Sequence, residues 1–429
     1  MFNLFKQNHP RGLYLLFFVE MWERFSFYGM RALIVLYMVE NLAFSIQTAG
    51  NIYGLYTGCV YLTPLIGGYI ADRYLGQRRC ITLGATLMSI GLLSLAFGGK
   101  GLFIISLLLM TIANGFFKSN ISSLLGLLYE NDNEKKDSAF TIFYMGINLG
   151  AFFSPLICGT LAVKYGYEYG FAAAGIGMLI GLSLYKLFEN KLLGTCGLNA
   201  IIINKGLTGT EELSVNTNQK SGLIALITLM LFTIPFWVCF EQAGSSLTLF
   251  AQYQTDRTLF NIEIPTGYFQ SLNPLFIITL APIISGVWLY LKEKGKEPTS
   301  VDKFVIALIL ISFSFIILAF AGHLSLNEKV SPLWLVLGYF IMTIAELCLS
   351  PIGLSLVTKL APVKFLSLIM GCWFLTSFAG NLIAGIWSGN YNLFTPAQLF
   401  GILAILSLIT GILLLIISPK LNALLNQRK

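Results

Sequence analysis

A chain of 429 residues that is 56% hydrophobic and only 11% charged is no ordinary soluble domain. Soluble chains run about 45–50% apolar and about 25% charged, and no compact core hides this much apolar surface, whereas a bilayer does. The formal charge of +7 does not mark a nucleic-acid partner, which needs a basic face exposed to water, because the cations here fall in short loops between apolar stretches. Seven cysteines, Cys59, Cys80, Cys158, Cys196, Cys239, Cys348 and Cys372, are odd in number and widely spaced, and read as small core residues instead of disulfides or a metal site.

In chain order, the first twelve residues carry Lys6, His9 and Arg11, like the basic start of a signal peptide. The apolar segment that follows runs to about Val39, contains Glu20, Glu23, Arg24 and Arg31 and has no small-residue cleavage site, so it reads as a retained first span. Twelve candidate transmembrane helices follow from stretches of about 20 mostly apolar residues. They are 13–39, 49–70, 80–99, 102–129, 138–163, 168–188, 222–250, 267–290, 303–321, 332–359, 366–388 and 397–417. A polar connection at 190–221 separates the first six from the rest, and its Ala200–Ile203 run is too short to span. The expected plan is an all-α membrane protein of two six-helix bundles, 1–189 and 222–429, joined by the 190–221 linker, with a substrate site between halves.

Orientation follows from the cations. With the N-terminus inside, only Lys100, Lys164, Arg257 and Lys329 fall in outer loops, against 20 Lys and Arg in inner segments. The positive-inside rule then places both termini in the cytoplasm and accounts for the net charge with no anionic partner beyond lipid headgroups.

Three cations, Arg24, Arg31 and Lys118, and four acids, Glu20, Glu23, Glu241 and Glu346, remain within spans. Each costs about 2.5–3.5 kcal/mol at mid-helix on insertion scales. Structural ion pairing is the plain explanation for any one of them, but the pattern of the set is more specific. Glu20, Glu23 and Arg24 form an E-x-x-E-R cluster whose spacings bring them to one helix face, continued by Phe27, Tyr28 and Arg31. Two carboxylates beside a guanidinium in low dielectric suit a proton site that responds to occupancy. The remaining charges divide by sign: Arg31 and Lys118 in the first half, Glu241 and Glu346 in the second. Matching depths suggest cross-bundle pairs Arg31–Glu241 and Lys118–Glu346 that make and break as the halves rock. Asn148 and Asn273 are membrane-buried amides that serve equally as helix glue or as ligand groups. Trp237 and Trp373 lie away from the expected membrane edges, which favours a pocket over interfacial anchoring.

Several motifs carry a family likeness. Glu20-Met-Trp-Glu23-Arg24-Phe-Ser-Phe27-Tyr28-Gly-Met-Arg31 resembles the ExxERFxYYG signature of the proton-dependent oligopeptide transporter family within the major facilitator superfamily. Phe140 to Gly150, Phe236 to Ser246, Phe269 to Pro274, Ala345 to Gly353 and Gly371 to Gly385 resemble its fifth, seventh, eighth, tenth and eleventh helices. The basic turn Gly68-x-x-x-Asp72-Arg73-x-x-Gly76-x-Arg78-Arg79 fits the same superfamily, although a generic positive-inside loop would look alike.

The resemblance implies a major facilitator fold and proton-driven uptake of di- and tripeptides, and of peptide-like small molecules, by alternating access. Glu20, Glu23 and Arg24 would form the coupling cluster. Arg24 and Lys118 would meet the peptide carboxylate, and Glu346, with Asn148 and Asn273, its α-ammonium. Tyr28, Tyr61, Trp237 and Trp373 would be the aromatic walls, with Arg31 and Glu241 the outer gate. The implied protein is a multi-pass symporter in a bacterial cytoplasmic membrane, a functional monomer with no cofactor beyond the coupling proton. The family often has paired tyrosines where this chain has Phe27-Tyr28, which removes one hydroxyl a ligand could use. The 190–221 linker is also too short for the two extra helices many bacterial members insert between bundles.

Competing functions fit less well. The two histidines, His9 and His323, lie far from any buried nucleophile, which argues against an enzyme. Buried pairs split between halves suit alternating access better than the ring of like charge expected of a channel. Relatives of the family carry anions such as nitrate or other small solutes; the retained Glu20, Glu23 and Glu346 favour a proton-coupled, amine-bearing substrate.

Overall fold

The computed structural model describes residues 9–130, 133–200, 217–259, 261–360 and 366–426. Long apolar segments in lipid can satisfy their backbone groups only within a helix or a closed barrel, and the described chain is almost wholly helical. Helices α1 (Arg11–Leu36) and α2 (Ile46–Ile70) each run into a π-helical turn, at Tyr37–Asn41 and Ala71–Leu75. There follow α3 (Gln77–Ala96), α4 (Lys100–Leu128), α5 (Asn133–Tyr165) and α6 (Tyr167–Leu193). After the linker come α7 (Thr217–Phe240), short α8 (Ser246–Tyr253), α9 (Leu272–Glu293), α10 (Ser300–Leu324), α11 (Leu333–Leu360), α12 (Leu366–Ser388) and α13 (Pro396–Asn426). Between α8 and α9 a two-residue-strand hairpin pairs β1 (Thr258–Leu259) with β2 (Ile262–Glu263), braced by an Arg257–Glu263 ion pair of 2.7 Å.

Among the described residues, ten helical stretches are long and apolar enough to cross a membrane, α7 and α8 counting as one, Ser221–Tyr253. The first two of the twelve expected spans are long enough but fall short in composition. α1 carries Arg11, Glu20, Glu23, Arg24 and Arg31, while α2 is diluted by Gly, Tyr and Thr. Large apolar side chains face outward in stripes, such as Ile105, Leu108 and Ile112 on α4 and Ile405, Ile409 and Ile416 on α13. Such stripes suit lipid and not water, and the protein is an integral, multi-pass helical membrane protein.

The helices form two compact units. One comprises Met1–Ala43 and Cys59–Leu207, the other Phe44–Gly58 and Thr208–Lys429. In the first, α1 packs against α5 and α6, and α3 against α4 and α6. The α1–α5 crossing is close because α5 presents Gly150 there: a Cβ on it would stand 2.9 Å from the Phe25 nitrogen and 3.1 Å from the Arg24 Cβ. In the second, α10 packs against α11 and α13, α7 against α12 and α13, and α9 against α11. The first half of α2 joins this unit through glycine. A Cβ on Gly54 would lie 2.7 Å from the Cα of Gly385 and 2.8 Å from the Asn381 carbonyl oxygen.

The basic turn after α2 is partly internal. Arg78 is only 2% exposed, its guanidinium donating to Glu189 (3.2 Å), Asn190 (2.6 Å) and the Gly194 carbonyl (2.8 Å), while its backbone N–H reaches the Gly197 carbonyl at 3.0 Å. Arg78 thereby fastens the start of the polar connection beneath α3. Residues 201–216, most of the connection and of its Ala200–Ile203 run, lie outside the described residues.

Candidate functional site

The first unit carries its polar residues on α1. The three- and four-residue spacings do bring Glu20, Glu23 and Arg24 together: the Arg24 Nε lies 3.0 Å from Glu20 Oε1 and 2.5 Å from Glu23 Oε2, and all three side chains are buried. Lys118, from α4, lies within electrostatic reach of both carboxylates. Its ammonium stands 4.2 Å from the ring centroid of Tyr61 on α2. Two cations thus balance two anions, the condition under which buried charge is tolerated. Withdrawing either sign would leave the other uncompensated.

Aromatic rings line the same helix. The Arg24 guanidinium lies 5.7 Å from the ring of Phe27, and that of Arg31 lies 5.8 Å from Tyr28. Phe27 offers Arg24 a π face. Arg31 itself is 9% exposed. Asn148, on α5, is buried and donates to the Tyr144 carbonyl of its own helix at 3.0 Å.

The second unit carries a carboxylate. At the start of α9, Asn273 donates its side-chain N–H to Glu346 Oε2 on α11 at 2.8 Å and to Thr343 Oγ1 at 3.1 Å. Glu241 is buried where α7 tightens into the 3-10 turn Glu241–Gly244. Trp237 stands edge-on between Phe236 and Phe240, its buried indole N–H without a hydrogen-bond partner among the described residues. Trp373 is 3% exposed, set over Gly353 and edge-on to Phe304.

The burial of two further cations has no signature in the sequence. Arg78 is one. The other is Lys303, expected at the inner start of a span, which is 6% exposed, bonded to Glu297 at 2.8 Å and 4.8 Å from the Trp288 ring. The hydrogen bond from Lys303 holds the Glu297 carboxyl, in the loop before α10, below its ordinary value. Glu297 and Lys303 are six residues apart across a helix start, a spacing that no helical or strand rule connects. The loop closes on a capping box in which Thr299 and Asp302 exchange backbone and side-chain bonds.

Comparison with known proteins matches residues 78–191 and 196–401 to the family model described as POT family. The "Uncharacterized transporter YclF" of Bacillus subtilis is 37% identical over 97% of this chain and 95% of its own length. The "Peptide transporter YePEPT" of Yersinia enterocolitica is 35% identical over 89% of this chain and 88% of its own, and the "Di-/tripeptide transporter" of Lactococcus lactis 33% over 98% and 97%. Among solved structures, a mutant of a peptide transporter POT in complex with alafosfalin superposes with a TM-score of 0.90 at 34% identity, covering 97% of this chain and 96% of that one. A POT family transporter in complex with 5-aminolevulinic acid gives 0.89 at 31%, covering 96% and 97%. These relatives are transporters, not enzymes.

Proposed function

The chain belongs to the POT family, and on that premise we propose that it is a proton-coupled symporter importing di- and tripeptides across a bacterial cytoplasmic membrane. In this reading twelve spans form two six-helix bundles, with both termini cytoplasmic, and a single copy works by alternating access. The observation that carries it is the buried Glu20–Arg24–Glu23 triad.

The chemistry runs through that triad. With both carboxylates ionised, Arg24 is held between them. A proton taken up by Glu20 or Glu23 removes one of the two anions, and the guanidinium, with Lys118 nearby, is left with positive charge to offer a peptide carboxylate. Glu346, oriented by Asn273, takes the α-ammonium at the other pole. Recognising the fixed termini leaves the variable side chains to Tyr28, Tyr61, Trp237 and Trp373. Release of the proton on the cytoplasmic side restores the anion, recaptures Arg24 and expels the carboxylate. Arg31–Glu241 and Lys118–Glu346 serve as gate pairs, and Asn148 completes the ammonium side. Relatives that carry the names of peptide transporters, and one whose structure holds 5-aminolevulinic acid, support peptides and peptide-like molecules as cargo.

The test is uptake of labelled dialanine into proteoliposomes, with and without an inward proton gradient, against an N-acetylated analogue. Gradient-driven accumulation of the free peptide alone is expected. Equal handling of both peptides, or no effect of the gradient in folded protein, would move the substrate or the coupling to another class.

A further inference from the structure

Asn114, on α4, is fully buried, and neither its amide nitrogen nor its amide oxygen has a hydrogen-bond partner among the described residues. An amide left unbonded inside a helical bundle forfeits the hydration it would have had in water, so it is costly unless something else meets it. Its place on the helix suggests why it is tolerated. At about 100° per residue, Asn114 lies roughly 200° round the helix from Ile112, which is 48% exposed on the lipid-facing stripe with Ile105 and Leu108. Asn114 therefore faces the interior of the first unit. Its neighbours agree: Gly115 meets Thr63 of α2, and the Ala113 carbonyl meets Gly84 of α3, which leaves position 114 between those two directions.

Lys118 is one turn along the same face, about 6 Å further down the axis. Asn114 thus sits on the Lys100 side of the charged cluster, the side the charge map places outside. Other buried polar atoms of this unit also lack hydrogen-bond partners among the described residues, among them Ser106 Oγ two turns beyond Asn114, Ser154 Oγ beside Gly29 of α1, Glu20 Oε2 and Glu23 Oε1. Buried polar groups left by the protein in this way are met by internal water, which needs a polar, multiply bonded seat.

We propose that Asn114 is a positioning residue for proton transfer: its amide seats an internal water next to Lys118, through which protons pass between the outer solution and the Glu20–Glu23–Arg24 cluster. The amide is not itself protonated. A proton arriving from hydronium is handed through the water to a carboxylate oxygen of Glu23 or Glu20, the amide oxygen accepting and the amide N–H donating to hold the water in line. The proposal rests on the proton-coupled reading above.

The test compares Asn114→Leu, which keeps the side-chain size and removes both polar groups, with Asn114→Ser, which keeps one. Dialanine uptake driven by a proton gradient and dialanine counterflow without one are measured in the same proteoliposomes, with folding followed by peptide-induced thermal shift. Asn114→Leu is expected to lower gradient-driven accumulation at least about tenfold and leave counterflow within about twofold of the parent, with Asn114→Ser recovering most of the loss. Parent-like accumulation in Asn114→Leu overturns the proposal, as does an equal fall of both modes in folded protein, which would assign Asn114 to packing or peptide binding. If Asn114→Leu does not fold, Asn114→Ala, which also removes both polar groups, carries the test, and parent-like accumulation or an equal fall of both modes in folded Asn114→Ala overturns the proposal. A parent that ignores the gradient sinks the proton-coupled reading and the water seat with it, whereas a gradient-driven parent with an indifferent Asn114→Leu sinks the water seat alone.

Discussion

Asn273 reaches from the start of α9 to Glu346 on α11 through one charge-assisted hydrogen bond of 2.8 Å, and the same amide nitrogen reaches Thr343 at 3.1 Å. Removing the amide leaves the carboxylate in place but unaimed. Asn273→Ala is expected to raise the KM for dialanine about tenfold, the worth of one hydrogen bond to a charged group, with a smaller effect on kcat. Glu346→Ala should lose gradient-driven uptake and counterflow together. Parent-like counterflow in Glu346→Ala would remove that carboxylate from the peptide site.

Glu20 and Glu23 differ in kind from Glu346. Each faces Arg24 and not an amide, so Glu20→Gln or Glu23→Gln takes away an anion that, in the proposed cycle, is lost and regained at each turnover. Both variants are expected to lose accumulation against a gradient while retaining counterflow, because exchange at equilibrium needs no net proton movement. Concentrative uptake in both single variants would place the coupling site elsewhere.

The close approach of α5 to α1 behind the triad tolerates no side chain at Gly150. Gly150→Ala forces the Cβ against the backbone of α1, an overpacking that costs about 1–3 kcal/mol. A lower melting temperature in detergent, together with a larger loss of uptake than of folded protein, is the expected pair of results. Unchanged uptake would show that the α1–α5 spacing does not set the geometry of Arg24.

Glu297, in the loop before α10, contributes to the pH dependence of stability from outside the spans. The Lys303 hydrogen bond holds the Glu297 carboxyl below its ordinary value, so the ionised form is favoured by folding. Its contribution is therefore present above the ordinary carboxylate range and is lost as pH falls through the lowered value. Because the Glu297 side chain is 35% exposed, screening keeps the contribution under about 1 kcal/mol. Melting profiles from pH 7 to pH 3 should show part of the acid loss disappear in Glu297→Gln.

Charges were the legible part of this chain, and burial was the illegible part. Glu20, Glu23, Arg24 and Lys118 stand out because an ionised group within an apolar stretch is costly, and a helix face at three- and four-residue spacing fixes who meets whom. Asn273 and Glu346 meet as helix-to-helix partners 73 residues apart, a pairing that spacing does not reveal and resemblance did. Arg78 and Lys303 look in sequence like solvated loop cations, yet both are internal, because depth beneath a helix end depends on how the following loop folds back. Counting residues from the span ends puts Trp237 and Trp373 away from the membrane edges. That Trp373 lies over Gly353, and not against open space in its own unit, depends on side-chain direction, which hydropathy does not encode. The π-helical turns that end α1 and α2 leave no compositional trace either.

The division of α2 has a genetic consequence. Residues 44–58 precede the polar connection by well over a hundred positions, yet their glycines are fitted to Gly385 and Asn381 of α12. A chimera joined to a relative at the connection would inherit a Gly54 from one parent and a Gly385 environment from the other, matched by neither history. Recombination that respects this protein has two crossover points in addition to the connection, one near Ala43 and one near Gly58, so that the short early segment travels with the C-terminal half it is shaped against.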